Sequence, residues 1–223
     1  MEQANTLPPL SQNNSRRKLI GLVLDCDGVL FDSKIANTAY YNYIRNAVHL
    51  PPMSEEEASY SHMASTEEVL HHTIPGTLRE EATRVRDKTR YRDLFMPMMQ
   101  PAPHMTTFLR NAQEYGLPLA LCTNRSDSVY DVLDHFAIRQ FFSPVITITH
   151  VQPKPSPEGL RQIAEIWNTD TASIAFLGDS LVDQQAAAAA GVPFWSYDNP
   201  ELPAEVHIAD FKKLDEVMRL VFF

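Results

Sequence analysis

Five stretches of the chain are almost continuously apolar. Residues 19–24, 117–122, 145–148 and 174–177 read as short buried strands, and residues 193–197 as a weaker fifth. A run of four to six residues that is apolar at both parities suits a strand covered on both faces. Between these runs the apolar positions recur at three- and four-residue spacing. Residues 106–115 carry Phe108, Leu109 and Ala112, and residues 128–136 carry Val129, Val132, Leu133 and Phe136. Residues 158–167 carry Leu160, Ile163, Ala164 and Trp167, while the Ala-rich residues 183–190 stop at Gly191. Each of these four predicts a helix. Strand–helix alternation with buried strands predicts an α/β protein: a parallel sheet with helices on both faces and right-handed crossovers.

Residues 33–101 break that rhythm, with no strong strand signal. Residues 35–48 read as a helix bearing Tyr40, Tyr41 and Tyr43, and Pro51-Pro52 as a break. Residues 66–72 read as a second helix, and residues 80–95 as a long charged one ended by Pro97. The segment is therefore expected to be a helical insertion between the first strand and the next crossover. Residues 1–17 read as a polar tail, and Arg16, Arg17 and Lys18 as a solvated basic approach to the first strand.

The chain has 223 residues, room for a domain plus an insertion. A net charge of −9 disfavours nonspecific binding to nucleic acid or to an anionic membrane. No apolar run approaches the roughly 20 residues of a membrane span, and the start of the chain lacks a signal-peptide core. With only Cys26 and Cys122, no zinc-type cluster can form, and two reduced thiols in a cytoplasmic protein are expected.

The chemistry lies at the strand ends. The first run leads straight into Asp25-Cys26-Asp27-Gly28. Side chains at i and i+2 share one face of an extended segment, so Asp25 and Asp27 point into one pocket beyond the strand. Burying an unpaired carboxylate costs on the order of several kcal/mol, so such acids call for a cation or a proton. The second run ends in Thr123-Asn124, Lys154 follows the third between two prolines, and the fourth leads into Gly178-Asp179-Ser180 with Asp183 beyond. In an open α/β sheet the ligand crevice lies outside the carboxyl ends of the strands. One crevice would thus receive carboxylates from two strands, a hydroxyl and an amide from a third, and an ammonium from a loop. Such a set suits a phosphomonoester dianion and magnesium, which prefers oxygen ligands. Asp25 and Asp179 are the natural metal pair, with Asp183 as a third ligand or a group behind them. Lys154 and the metal would offset phosphoryl charge, and Thr123 would hold phosphoryl oxygens. One carboxylate can act as nucleophile and the other as general acid and base.

Asp25-Cys26-Asp27-Gly28-Val29-Leu30, Thr123-Asn124, Lys154-Pro155-Ser156-Pro157 and Gly178-Asp179-Ser180-Leu181-Val182-Asp183 resemble the four ordered motifs of the haloacid dehalogenase superfamily. Phe31-Asp32-Ser33 and Ala189-Ala190-Gly191-Val192-Pro193 resemble its phosphoglycolate phosphatase and β-phosphoglucomutase branch. The resemblance implies a Rossmann-like doubly wound core, residues 18–32 and 102–223, with a helical cap inserted at residues 33–101. It implies Asp25 as nucleophile, Asp27 as general acid and base, Thr123 as phosphate ligand and Lys154 as the cation steadying both. It implies magnesium held by Asp25, Asp179 and the Asp27 backbone carbonyl, with Asp183 at or behind the metal. Asn124 is expected beside the substrate. Ser65-Thr66-Glu67-Glu68 has capping-box spacing, and reads either as a plain helix start or as the cap's specificity loop, with Ser65 and Thr66 facing substrate.

The expected activity is magnesium-dependent hydrolysis of a small phosphorylated metabolite resembling phosphoglycolate, through an aspartyl phosphate. A sugar phosphate mutase and a noncatalytic phosphate-binding regulator are the alternatives. Neither a nucleic-acid nor a membrane partner is expected, and the chain would be a monomer or homodimer.

Overall fold

The structure is a computed structural model that describes residues 19–126 and 128–222. The tail at 1–17 and Lys18 lie outside the described residues. In chain order the elements begin with β1 (Gly21–Leu24), β2 (Phe31–Asp32), α1 (Lys34–Ala47), α2 (Glu55–Ser61), α3 (Thr66–Thr73), α4 (Arg79–Lys88) and α5 (Tyr91–Leu94). They continue with β3 (Gln100–Pro101), α6 (Met105–Glu114), β4 (Leu119–Cys122), α7 (Ser128–His135), β5 (Val145–Ile146) and α8 (Glu158–Ile166). The last are β6 (Ile174–Gly178), α9 (Leu181–Ala190), β7 (Phe194–Tyr197), β8 (Val206–Ile208) and α10 (Phe211–Phe222).

Six strands form one parallel sheet in the order β5-β4-β1-β6-β7-β8. The chain builds outward from β1 through β4 to β5, then crosses to β6 and builds outward through β7 to β8. The switch in direction falls beside β1, where such sheets open a ligand crevice. Alternate strand residues feed the two faces. Leu22, Leu24, Leu121 and Leu177 pack with α6, α7 and α10, whereas Val23, Ala120 and Phe176 pack with α8 and α9. The Rossmann-like architecture expected from the sequence is thus present.

Helices α1 to α5 form one excursion, bracketed by a two-stranded antiparallel ribbon that pairs Phe31 with Pro101 and Asp32 with Gln100. The single charged helix expected at 80–95 is in fact two. Thr89 turns extended (φ −83°, ψ 122°) and its hydroxyl donates to the Val85 carbonyl at 2.7 Å, so α4 ends and the chain restarts at Tyr91. The strand expected at 145–148 stops at Ile146, because Thr147 enters a turn in which the His150 N–H donates to its carbonyl at 2.9 Å.

Candidate active site

Strand register assembles the site. Leu24 of β1 lies opposite Leu121 of β4 and Leu177 of β6, so the residues after all three emerge side by side at one edge of the sheet. Asp25 and Asp27 leave β1, Thr123 leaves β4 and Asp179 leaves β6. At Gly28 the chain takes φ +77°, and a Cβ there would fall 2.0 Å from Asp179 Oδ2. Glycine is required by both the left-handed backbone and the carboxylate filling that space.

Oxygens of Asp25, Asp179 and Asp183 all lie within 4.8 Å of one another. Lys154 Nζ sits 2.7 Å from Asp25 Oδ1 and 2.6 Å from Asp183 Oδ1, and donates to the Cys122 carbonyl at 3.2 Å. Asp183 is fully buried and also closes a capping box at the start of α9, where the Ser180 N–H donates to its Oδ2 at 3.1 Å. Burial pushes the Asp25 carboxyl well above its usual range; Asp183 and Asp179 push the same way and Lys154 opposes them. Burial and the Asp183 charge push Asp179 up to about 7. Burial works against charge on Lys154, yet Asp183 and Asp25 hold its pKa above the ordinary lysine value. One ammonium among three converging acids leaves negative charge in surplus, in an all-oxygen donor set. That is the chemistry of a hard divalent cation site.

Three consecutive residues after β4 serve this edge. The Arg125 N–H donates to Thr123 Oγ1 at 3.1 Å, which leaves the Thr123 hydroxyl proton free to point elsewhere. Asn124 accepts from the Lys154 N–H at 2.7 Å and donates to the Lys154 carbonyl at 3.1 Å, pinning the lysine loop. It also donates to the Met63 carbonyl of the helical excursion at 3.2 Å. The Arg125 guanidinium grips Asp27 with Nε on Oδ2 at 2.6 Å and Nη2 on Oδ1 at 2.7 Å. Burial alone would raise the Asp27 carboxyl, but the charge and hydrogen bonds of Arg125, with Ser33 and Asn37, hold it below the usual carboxylate range.

A cavity of about 390 Å³ opens over these groups, with Asp25, Thr123 and Lys154 on its floor and Tyr41, His62 and Thr66 among its helical walls. The sequence profile described as haloacid dehalogenase-like hydrolase matches residues 22–196, well over half the chain. The chain belongs to that family. A HAD-superfamily hydrolase of subfamily IA from Geobacter sulfurreducens shares its structure at a TM-score of 0.78 and 33% identity, over 89% of this chain and 99% of that one. Phosphoglycolate phosphatases are among its relatives. The protein of that name from Shigella dysenteriae is 28% identical over 205 residues, 81% of each chain. The one from Chromobacterium violaceum is 28% identical over 216 residues, 89% of this chain and 96% of the relative.

Within this haloacid dehalogenase-like hydrolase, six residues singled out from sequence meet around one cavity: Asp25, Asp27, Thr123, Asn124, Lys154 and Thr66. Asp179 and Asp183 stand behind them in the acid cluster. Ser65 has a different position. It is buried as the N-cap of α3, accepting from the Glu68 N–H at 3.4 Å and donating to the Glu68 carboxylate at 2.7 Å. Thr66 lines the cavity and accepts from the Tyr41 hydroxyl at 3.4 Å. Cys26 and Cys122 are free and buried, and burial pushes the Cys122 thiol up to about 12. The sequence reading missed Arg125, Asn37 and Tyr91. The signal for Arg125 was its place directly after Thr123-Asn124.

Proposed function

We propose that this hydrolase is a magnesium-dependent phosphatase acting on a small phosphorylated metabolite, with phosphoglycolate the first substrate to test. The observation that carries the reading is the convergence of Asp25, Asp179 and Asp183 within 4.8 Å around a single lysine ammonium. Asp25, Asp179, the Asp27 backbone carbonyl and Asp183 are the groups that would hold magnesium. Bound there, magnesium would neutralise charge on the transferring phosphoryl oxygens and hold Asp25 ionised.

Lys154 and the Thr123 hydroxyl bind the remaining phosphoryl oxygens. An Asp25 carboxylate oxygen attacks phosphorus as the bond to the ester oxygen breaks, and Asp27 gives that leaving oxygen its proton. Asp27 then takes a proton from water, which attacks phosphorus and releases Asp25 and inorganic phosphate. Residues 33–101 act as a cap that closes over substrate and keeps bulk water out. The names of the relatives support the phosphatase reading over the alternatives.

Phosphate release from phosphoglycolate and a panel of phosphorylated metabolites, with magnesium and with a chelator, tests the proposal. Turnover should vanish with the chelator and fall at least about 10³-fold in Asp25→Asn, while that variant keeps a cooperative thermal melt. Turnover by Asp25→Asn equal to the parent would overturn the nucleophile assignment. Dependence on a bisphosphate activator with slow net hydrolysis would make the enzyme a mutase.

A further inference from the structure

Arg125 lines the cavity but lies outside the acid cluster; its side chain is 10% exposed and forked onto both oxygens of Asp27. Buried guanidinium groups are placed for geometry as much as for charge, because the planar fork fixes the plane of the carboxylate it grips. The fork itself is held from the helical excursion. Its Nη2 lies 3.3 Å from Asn37 Oδ1 and 3.3 Å from the Tyr91 hydroxyl oxygen, and the Tyr91 hydroxyl donates to Asn37 Oδ1 at 3.0 Å. The guanidinium carbon stands 5.3 Å from the centre of the Tyr91 ring. Asn37 closes the set by donating to Asp27 Oδ1 at 3.5 Å. The break between α4 and α5 is what brings Tyr91 here.

We propose that Arg125 is a positioning residue for Asp27, and that Asn37 and Tyr91 make the alignment of this acid depend on docking of the helical excursion against the sheet. The inference rests on the general-acid reading of Asp27 given above. When Asp27 carries a proton, one oxygen still accepts from the guanidinium, so the O–H stays in a fixed plane. The proton then passes to the leaving ester oxygen as the phosphorus–oxygen bond breaks. An acid free to rotate would meet that oxygen less often, and the loss would be greatest where the leaving group most needs a proton.

Aryl phosphates of graded leaving-group acidity read this directly. Unsubstituted phenol is a poor leaving group, with a pKa near the about 10 of a tyrosine; p-nitrophenol is far more acidic and departs without help. In Arg125→Met, kcat/KM for phenyl phosphate should fall at least ten times further than for p-nitrophenyl phosphate, and mainly in kcat. Arg125→Lys, which keeps the charge but loses the fork, should fall in between, and Tyr91→Phe should show the same skew more weakly. Equal losses on the two substrates in Arg125→Met and Arg125→Lys, or no loss, would overturn the proposal. Should Arg125→Met fail to fold by circular dichroism, the skew in Arg125→Lys decides alone. Asp27→Asn is the benchmark. A strong skew there with none in the Arg125 variants sinks the positioning role only, whereas no skew in Asp27→Asn sinks the general-acid reading itself.

Discussion

Asp25 and Asp27 lie two residues apart and titrate in opposite directions. Burial beside two more acids raises Asp25, and the Arg125 fork lowers Asp27. Both directions belong to the cation-free site and run against the proposed roles: a divalent cation beside Asp25 would bring its carboxyl down, and Asp27 must take up its proton against the Arg125 charge. Asp179 is pushed up to about 7 in the folded protein, against about 4 for an unfolded aspartate. The native state therefore binds the proton more tightly than the unfolded chain. Without a cation, this group costs native stability at pH above about 7, and that cost fades as pH falls toward about 4. A divalent cation competes with the same proton. Magnesium should therefore raise the melting temperature more at about pH 8 than at about pH 5. Differential scanning fluorimetry at both values checks this, and equal shifts would place magnesium away from Asp179.

At the scale of elements, legibility followed burial. β1, β4 and β6 are buried along their whole length, so their apolar runs stood out and the acids at their ends could be placed. β8 is three residues long at the sheet edge, with exposed His207 between half-buried Val206 and buried Ile208, too little contrast to separate it from a loop. α10 buries Phe211, Leu214 and Met218 at helical spacing, and its pattern was present but unread. Arg125 stayed hidden for a different reason. Its place directly after Thr123-Asn124 puts it near the site, but a paired charge in a loop looks like a solvated one until its partner is known, and Asp27 lies 98 positions away. α2 shows a local signal that needs no partner. Only Ser61 is buried on it, but Ser54 and Glu57 form a reciprocal capping box, with the Glu57 N–H donating to Ser54 Oγ at 3.1 Å and the Ser54 N–H to Glu57 Oε2 at 2.8 Å. Ser54→Ala should cost about 1 kcal/mol, a loss of about 2–4 °C in melting temperature for a chain of this size. Steady-state kinetics should stay at parental kcat/KM, since Ser54 is not among the residues around the cavity. A fall in kcat/KM with an unchanged melt would mean that α2 contributes to the site beyond its packing.

For the molecule as a whole, no helix among the described residues is long and apolar enough to cross a membrane. The large-scale division is between the sheet with its covering helices and the excursion from α1 to α5. Links that join them include the β2–β3 ribbon, through which the chain passes out and back, a shared apolar cluster, the Arg92–Asp131 ion pair at 3.2 Å between α5 and α7, and polar contacts over the cavity. Asn124 reaches Met63 at 3.2 Å, and Arg125 reaches Asn37 and Tyr91 at 3.3 Å each. These three links over the cavity start from residues 124 and 125, directly after Thr123. An anion bound on Thr123 and Lys154 is therefore one turn of chain from the contacts that hold the helices in place. If residues 33–101 close as a cap, occupancy of the floor must favour the docked arrangement, by differential affinity for the two states. Magnesium with inorganic phosphate should then slow amide hydrogen exchange in α3 and α5, tens of residues from any phosphate ligand in sequence, as well as in the loops after β4 and β6. Protection confined to those two loops would show that the helices stand over the cavity without answering to what it holds, and their role would reduce to shaping its walls.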